Sequence, residues 1–122
     1  MIDHVTANVD DFEGAKAFYS AALAPLGYSL QMEFGTAAGF GTGNGMPDFW
    51  IGTREGRGAT HVAFTAPDRA TVDAFHAAAI GAGGHDEGAP GVRPQYHETY
   101  YAAFVHDGSG NNIEAVCHIP DD

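Results

Sequence analysis

Two histidines and one glutamate carry the chemical interest of this chain. His4 and His61 stand 57 residues apart, each within a short β-like run, and Glu114 lies inside a third run, Asn111-Asn112-Ile113-Glu114-Ala115-Val116. Period-two alternation sets Asn112, Glu114 and Val116 on one face of that strand, and Ile113, Ala115 and Cys117 on the other. A carboxylate in the middle of an otherwise apolar strand is costly unless it is paired, protonated or metal-bound. Two imidazoles and a carboxylate form a facial ligand set for a divalent transition metal, with positions left open for substrate or water. The competing reading makes the histidines hydrogen-bonded core residues and Glu114 a surface residue. The related strand positions of all three favour the metal set. Ligand type alone does not choose between Fe, Mn, Ni, Co and Zn.

The elements that must position these residues are duplicated. At the same offset Asp11 matches Asp68, Ala17-Phe18-Tyr19 matches Ala74-Phe75-His76, and Gly27 matches Gly84. One offset shared by a strand, a helix start, a helix core and a helix stop marks an internal repeat. Ile2 to Val9 reads as a strand. Asp10 or Asp11 offers an N-cap, with Glu13 as capping-box partner of Asp10, and a helix follows to the stop at Pro25 and Gly27. Strands follow at Tyr28 to Phe34, Thr36 to Phe40 and Asp48 to Thr53. The second module repeats the order: a strand over Thr60 to Thr65, a helix opened by Pro67 and Asp68, a short strand over His85 to Gly88 and a loop through Pro90, Pro94 and Tyr96. A hairpin, Tyr100 to His106 and Asn111 to His118, closes it around Asp107-Gly108-Ser109-Gly110. The expected fold is α+β: two βαβββ modules, 1–57 and 58–122, joined at Arg54 to Gly58 in one domain. Their sheets should combine into a curved, barrel-like mixed sheet with helices outside, because so small a half cannot close a core alone.

Composition narrows the function classes. A hydrophobic content of 44% over 122 residues supports one folded domain despite 17 glycines. A formal charge of −11 repels phosphate backbones and anionic lipid, so neither nucleic acid nor a membrane surface is an expected partner. The lone Cys117 and the absence of a basic, apolar leader suggest a cytoplasmic protein. The glycine run from Gly39 to Gly45 does not satisfy G-x-G-x-x-G.

The chain resembles the vicinal oxygen chelate superfamily, which includes glyoxalase-type isomerases, extradiol dioxygenases and bleomycin-resistance proteins. The residues that carry the likeness are His4-Val5, Ala17-Phe18-Tyr19 and His61-Val62-Ala63-Phe64. The ending from Asp107 through Gly110-Asn111-Asn112-Ile113-Glu114 matches the family pattern D-x-x-G-N-x-I-E. The resemblance implies paired βαβββ modules, metal ligands at His4, His61 and Glu114, a small-molecule substrate or ligand, and a homodimer. Members with four protein ligands carry a further Glu or His where this chain has Trp50. An indole cannot ligate a metal, so a glyoxalase of the usual design is not expected. The expected enzyme is a metal-dependent lyase or isomerase, or an extradiol-type dioxygenase, whose arrangement three ligands resemble more closely. Such dioxygenases usually have a tyrosine ten residues before the glutamate, where this chain has Phe104. The alternative function is non-catalytic sequestration of a small molecule, as in bleomycin-resistance proteins.

The remaining candidates cluster in Arg93-Pro94-Gln95-Tyr96-His97-Glu98-Thr99-Tyr100-Tyr101. His97, Tyr100 or Tyr101 could serve as acid or base near a metal-bound oxygen. Arg93 could hold a substrate carboxylate in two-point fashion, and Trp50 and Phe104 would wall the substrate. A surface loop packed on the sheet edge is the plainer reading of the same segment.

Overall fold

Apolar residues alternate along each strand and recur at helical spacing between strands. In the computed structural model, which describes residues 3–43, 46–53 and 60–120, this pattern becomes two βαβββ units. The first comprises β1 (Val5–Asn8), α1 (Phe12–Ala22), a 3-10 turn (Ala24–Leu26), β2 (Ser29–Phe34), β3 (Ala37–Gly41) and β4 (Phe49–Gly52). The second comprises β5 (His61–Thr65), α2 (Arg69–Gly81), β6 (His85–Val92), β7 (Tyr101–His106) and β8 (Asn112–Cys117). The expected junction at Arg54 to Gly58 lies outside the described residues.

The fold is α+β, but the strands form two four-stranded sheets and not one barrel-like sheet. Their orders are β1-β4-β3-β2 and β5-β8-β7-β6. In each, the first pair is parallel and the other pairs are antiparallel. Among the described residues β1 and β5 are therefore outer strands, each bonded to a neighbour on one side only. Side chains join the units where a continuous ladder was expected. Ala7, Phe40, Phe49 and Ile51 of the first sheet share one buried cluster with Phe64, Val105, Ile113 and Ala115 of the second, together with Phe18, Tyr19, Val72 and Phe75 of the helices. Tyr19 packs on Phe49 at 5.0 Å between ring centroids, Phe49 on Phe64 at 5.2 Å, and Phe64 on Tyr28 at 5.3 Å. Burying each such ring is worth about 1.5–3 kcal/mol. The opposite strand parity, which carries His4, Thr6 and Trp50 in one sheet and His61, Phe104 and Glu114 in the other, takes no part in that cluster.

Local chemistry explains the element ends. Asp11 caps α1, its carboxylate accepting from the Gly14 N–H at 3.1 Å. Glu13 is not the capping partner of Asp10: with the cap at Asp11 the third helical position is Gly14, and Glu13 pairs with Lys16 instead. Asp68 caps α2 through the Thr71 N–H and hydroxyl. Gly27 ends the first helical segment at φ 86°, and its structural counterpart is Gly83 at φ 98°. Gly84 answers a different need. A Cβ there would stand 2.8 Å from Phe18 Cε1, so its bare backbone admits the close packing of α1. β6 runs past the expected Gly88 to Val92, with irregular register between Gly88 and Gly91. Pro90 is accommodated there because a bulge spares it the ladder bond that it cannot make.

The β7–β8 turn ties the units together. The buried Asp107 accepts from the N–H groups of Ser109 and Asn111 through Oδ1, and from the Tyr19 hydroxyl (2.6 Å) and Asn111 Nδ2 (2.8 Å) through Oδ2. Asn111 also donates to the Asn8 carbonyl at the end of β1, and its side-chain oxygen accepts from the Thr60 N–H just before His61. One side chain thereby links the ends of the two histidine-bearing segments. Among the described residues, no helix is long and apolar enough to cross a membrane.

Candidate functional site

Strand register places the site residues. In the second sheet Ala63 faces Glu114 across the parallel β5–β8 ladder, and Phe104 faces Glu114 across the antiparallel β7–β8 ladder. His61 shares the face of Ala63 and Glu114. The resulting contact is direct: His61 Nε2 lies 3.1 Å from Glu114 Oε1. Glu114 is 2% exposed, whereas the His61 side chain is 52% exposed. A buried carboxyl thus meets a ring nitrogen of an imidazole that is open to solvent.

Tyr100 completes this group by donating its hydroxyl to Glu114 Oε2. Burial, and then Glu114, push the tyrosine up to about 12, so the hydroxyl keeps its proton at neutral pH. The Phe104 ring lies 6.4 Å from the His61 ring, and the Arg93 guanidinium lies 5.4 Å from the same Phe104 ring. Arg93 also donates to the Gly91 and Ala89 carbonyls of β6. Those bonds anchor it at the bulge, so its role as a two-point carboxylate clamp is not what the geometry displays.

The other candidates go elsewhere. Tyr101 points its hydroxyl at Asp73 of α2 at 2.7 Å, and its ring lies under Arg69. It is a strand-to-helix tie and not an acid or base at Glu114. Strand alternation is the reason: Tyr100 shares the parity of Phe104, whereas Tyr101 shares that of the core residues Ala103 and Val105. That signal was available in the sequence. His97 closes its own turn, its Nδ1 accepting from the Thr99 N–H at 3.2 Å and meeting the Thr99 hydroxyl at 3.0 Å.

His4 is not brought to His61 and Glu114 within the chain. Its Nδ1 lies 2.7 Å from Asp3 Oδ2. It borders a recess of the first sheet with Thr6, Thr36, Trp50 and Thr53, whereas His61 borders a separate cleft of about 380 Å³ with Asp3, Tyr28, Asp48 and Phe64. Among the described residues, no three His, Cys, Asp or Glu side chains gather as a metal-binding group. Register does confirm the sequence equivalence of Trp50 and Glu114. Thr6 faces Trp50 in the first sheet as Ala63 faces Glu114 in the second. The indole lies over Gly39, where a Cβ would come within 2.9 Å of it, and stacks on the exposed Phe34 at 6.2 Å and 13°.

His61 and Glu114 bring together an imidazole nitrogen and a carboxylate oxygen, 3.1 Å apart, donor types that a divalent transition metal accepts. His4 precedes β1, the strand of the first unit that corresponds to β5.

Comparison with known proteins gives the same architecture. Residues 1–115 match the family model for the glyoxalase/bleomycin resistance protein/dioxygenase superfamily. A glyoxalase/bleomycin resistance protein from Albidiferax ferrireducens T118 is 34% identical, covers 94% of this chain and 97% of its own, and superposes with a TM-score of 0.82. A glyoxalase/bleomycin resistance protein/dioxygenase family enzyme from Burkholderia phytofirmans PsJN shares the fold at 18% identity, with 97% and 98% coverage and a TM-score of 0.75. The lactoylglutathione lyase from Agrobacterium tumefaciens does so at 20% identity, with 96% and 92% coverage and a TM-score of 0.69. No curated protein matches the sequence.

Proposed function

Since the chain belongs to the glyoxalase/bleomycin resistance protein/dioxygenase superfamily, we propose that it is a small enzyme dependent on a divalent metal. His61 and Glu114 would supply two ligands from the second unit. His4 would supply the third from a second copy of the chain, in a homodimer that pairs the first unit of one protomer with the second unit of the other. The observation that carries this reading is the exposed imidazole and buried carboxyl, 3.1 Å apart on an open sheet face. Supporting the between-chain arrangement, β1 and β5 are outer strands, and His4 borders a different recess from His61 and does not gather with His61 and Glu114 into one group among the described residues. A two-fold pairing would complete two equivalent sites at once.

The bound ion would act as a Lewis acid toward two adjacent oxygens of a small substrate. Around it, Phe104 walls the face beside His61, and Tyr100 holds the far oxygen of Glu114. With Trp50 in place of a fourth ligand, the reading excludes the usual glyoxalase arrangement, in which a carboxylate at that position also moves the proton. It leaves an extradiol-type dioxygenase, or a lyase or isomerase with another base.

The test is the divalent-metal content of the purified, metal-loaded protein. Glu114→Ala, His61→Ala and His4→Ala should each lose most of it, while a normal circular dichroism spectrum shows that the fold is kept. Wild-type stoichiometry in all three would overturn the reading. One observation favours sequestration instead: the exposed Phe34–Trp50 stack on a chain of net charge −11 offers a seat for a flat, cationic ligand. Undiminished binding of such a ligand by Glu114→Ala would favour that alternative.

A further inference from the structure

We infer that Tyr100 is the positioning residue of this site, fixing the Glu114 carboxylate so that one oxygen alone is presented beside His61. The inference rests on the proposed reading of His61 and Glu114 as site residues. Its basis is the division of labour between the two carboxylate oxygens: Oε2 accepts from the Tyr100 hydroxyl, and Oε1 lies with His61 Nε2. A carboxylate held at both oxygens cannot rotate freely about its terminal torsion, which is otherwise broad.

The tyrosine is itself held. Its ring packs against Tyr96 at 5.1 Å and, nearly perpendicular, against His118 at 5.2 Å. Its backbone N–H donates to the His97 carbonyl at 3.1 Å, and its carbonyl accepts from the Arg93 N–H at 2.7 Å. The segment 93–100 therefore delivers a constrained hydroxyl to the site from outside the sheet. Across its two ladders Glu114 faces Ala63 and Phe104, neither of which has a hydroxyl to offer. Tyr100 supplies what those strand positions lack. With Oε2 engaged, Glu114 would present one oxygen to a metal in place of a two-oxygen bite. Outer partners that orient ligating carboxylates in this way typically change metal affinity about 10- to 100-fold.

The experiment compares wild type with Tyr100→Phe, and uses Tyr101→Phe as a control that loses a hydroxyl bonded elsewhere. The first readout is the set of His61 ring nitrogen shifts, recorded by NMR on metal-free protein. Tyr100→Phe should move them, because the carboxylate that meets Nε2 is released, and Tyr101→Phe should not. The second is Co(II) affinity by competition with a chromophoric chelator, together with the visible spectrum of the Co(II) protein. Tyr100→Phe should bind roughly 10- to 100-fold more weakly, with an altered spectrum. His61 shifts unchanged in Tyr100→Phe overturn the inference whether or not metal binds. A wild type that takes up no Co(II) sinks the metal reading instead, and the His61 shifts then decide the role of Tyr100. A lowered melting temperature with unchanged shifts and affinity would make Tyr100 merely structural and would also overturn it.

Discussion

At the scale of single residues, the exchange of a carboxylate for an indole separates the two units. Trp50 and Glu114 occupy the same place in their ladders, yet one lies flat on Gly39 against Phe34 and the other is buried between His61 and Tyr100. Trp50 borders the recess that His4 borders, so a carboxylate in its place would stand near that imidazole. Trp50→Glu is therefore expected to tighten divalent-metal binding. It should also cost about 1–3 kcal/mol of stability, because the stacked ring is lost from a half-buried position. Chelator competition and thermal denaturation measure the two effects. Affinity unchanged or weakened in that variant would count against the first sheet as part of the centre.

At the scale of elements, the β7–β8 turn has more to do with folding than with chemistry. The residues that mark it in the sequence, Asp107 and Asn111, are buried and spend their polar atoms on Tyr19, Asn8 and Thr60. Asn111→Ala would strand several buried partners at once and should cost about 2–4 kcal/mol, more than the loss of the exposed cap in Asp68→Ala. Urea denaturation can rank the two, and equal losses would contradict the clasp. Tyr19 adds a pH dependence. Burial, reinforced by Asp107, raises its hydroxyl far above the ordinary 10.0. A raised folded-state value gives stability that is complete below the unfolded value and declines as pH rises beyond it. The protein should accordingly lose stability above about pH 10. Tyr19→Phe should be less stable at neutral pH by about 1–2 kcal/mol but show a shallower alkaline decline. An equally steep decline in that variant would point to another group.

At the scale of the whole molecule, the proposed dimer makes a prediction that no single-chain site shares. His4→Ala and Glu114→Ala each spoil every site of their own homodimers. In a mixed dimer, the intact His4 of one chain would meet the intact His61 and Glu114 of the other. Refolding the two variants together should therefore restore part of the metal content that both lack. Sites contained within one chain would give no recovery. Sedimentation of the mixture would show whether dimers form at all.

The duplication and the facing of each strand were legible along the chain, and the family resemblance paired Trp50 with Glu114. The first two are local properties: a repeat offset and a period of two survive whatever the units do in space. The same alternation separates Tyr100 from Tyr101 once β7 is read through to its start. Other features depended on distances between segments far apart in sequence. The barrel-like sheet expected from the repeat became two sheets because side chains around Phe49 and Phe64 join the units without a shared ladder. His97 and Arg93 form hydrogen bonds within their own loop and bulge, to partners that residue spacing did not single out. Spacing could name His4, His61 and Glu114 as kin, but only the packed structure separated His4 from the other two, since nearness is set by how the units dock and not by their order along the chain.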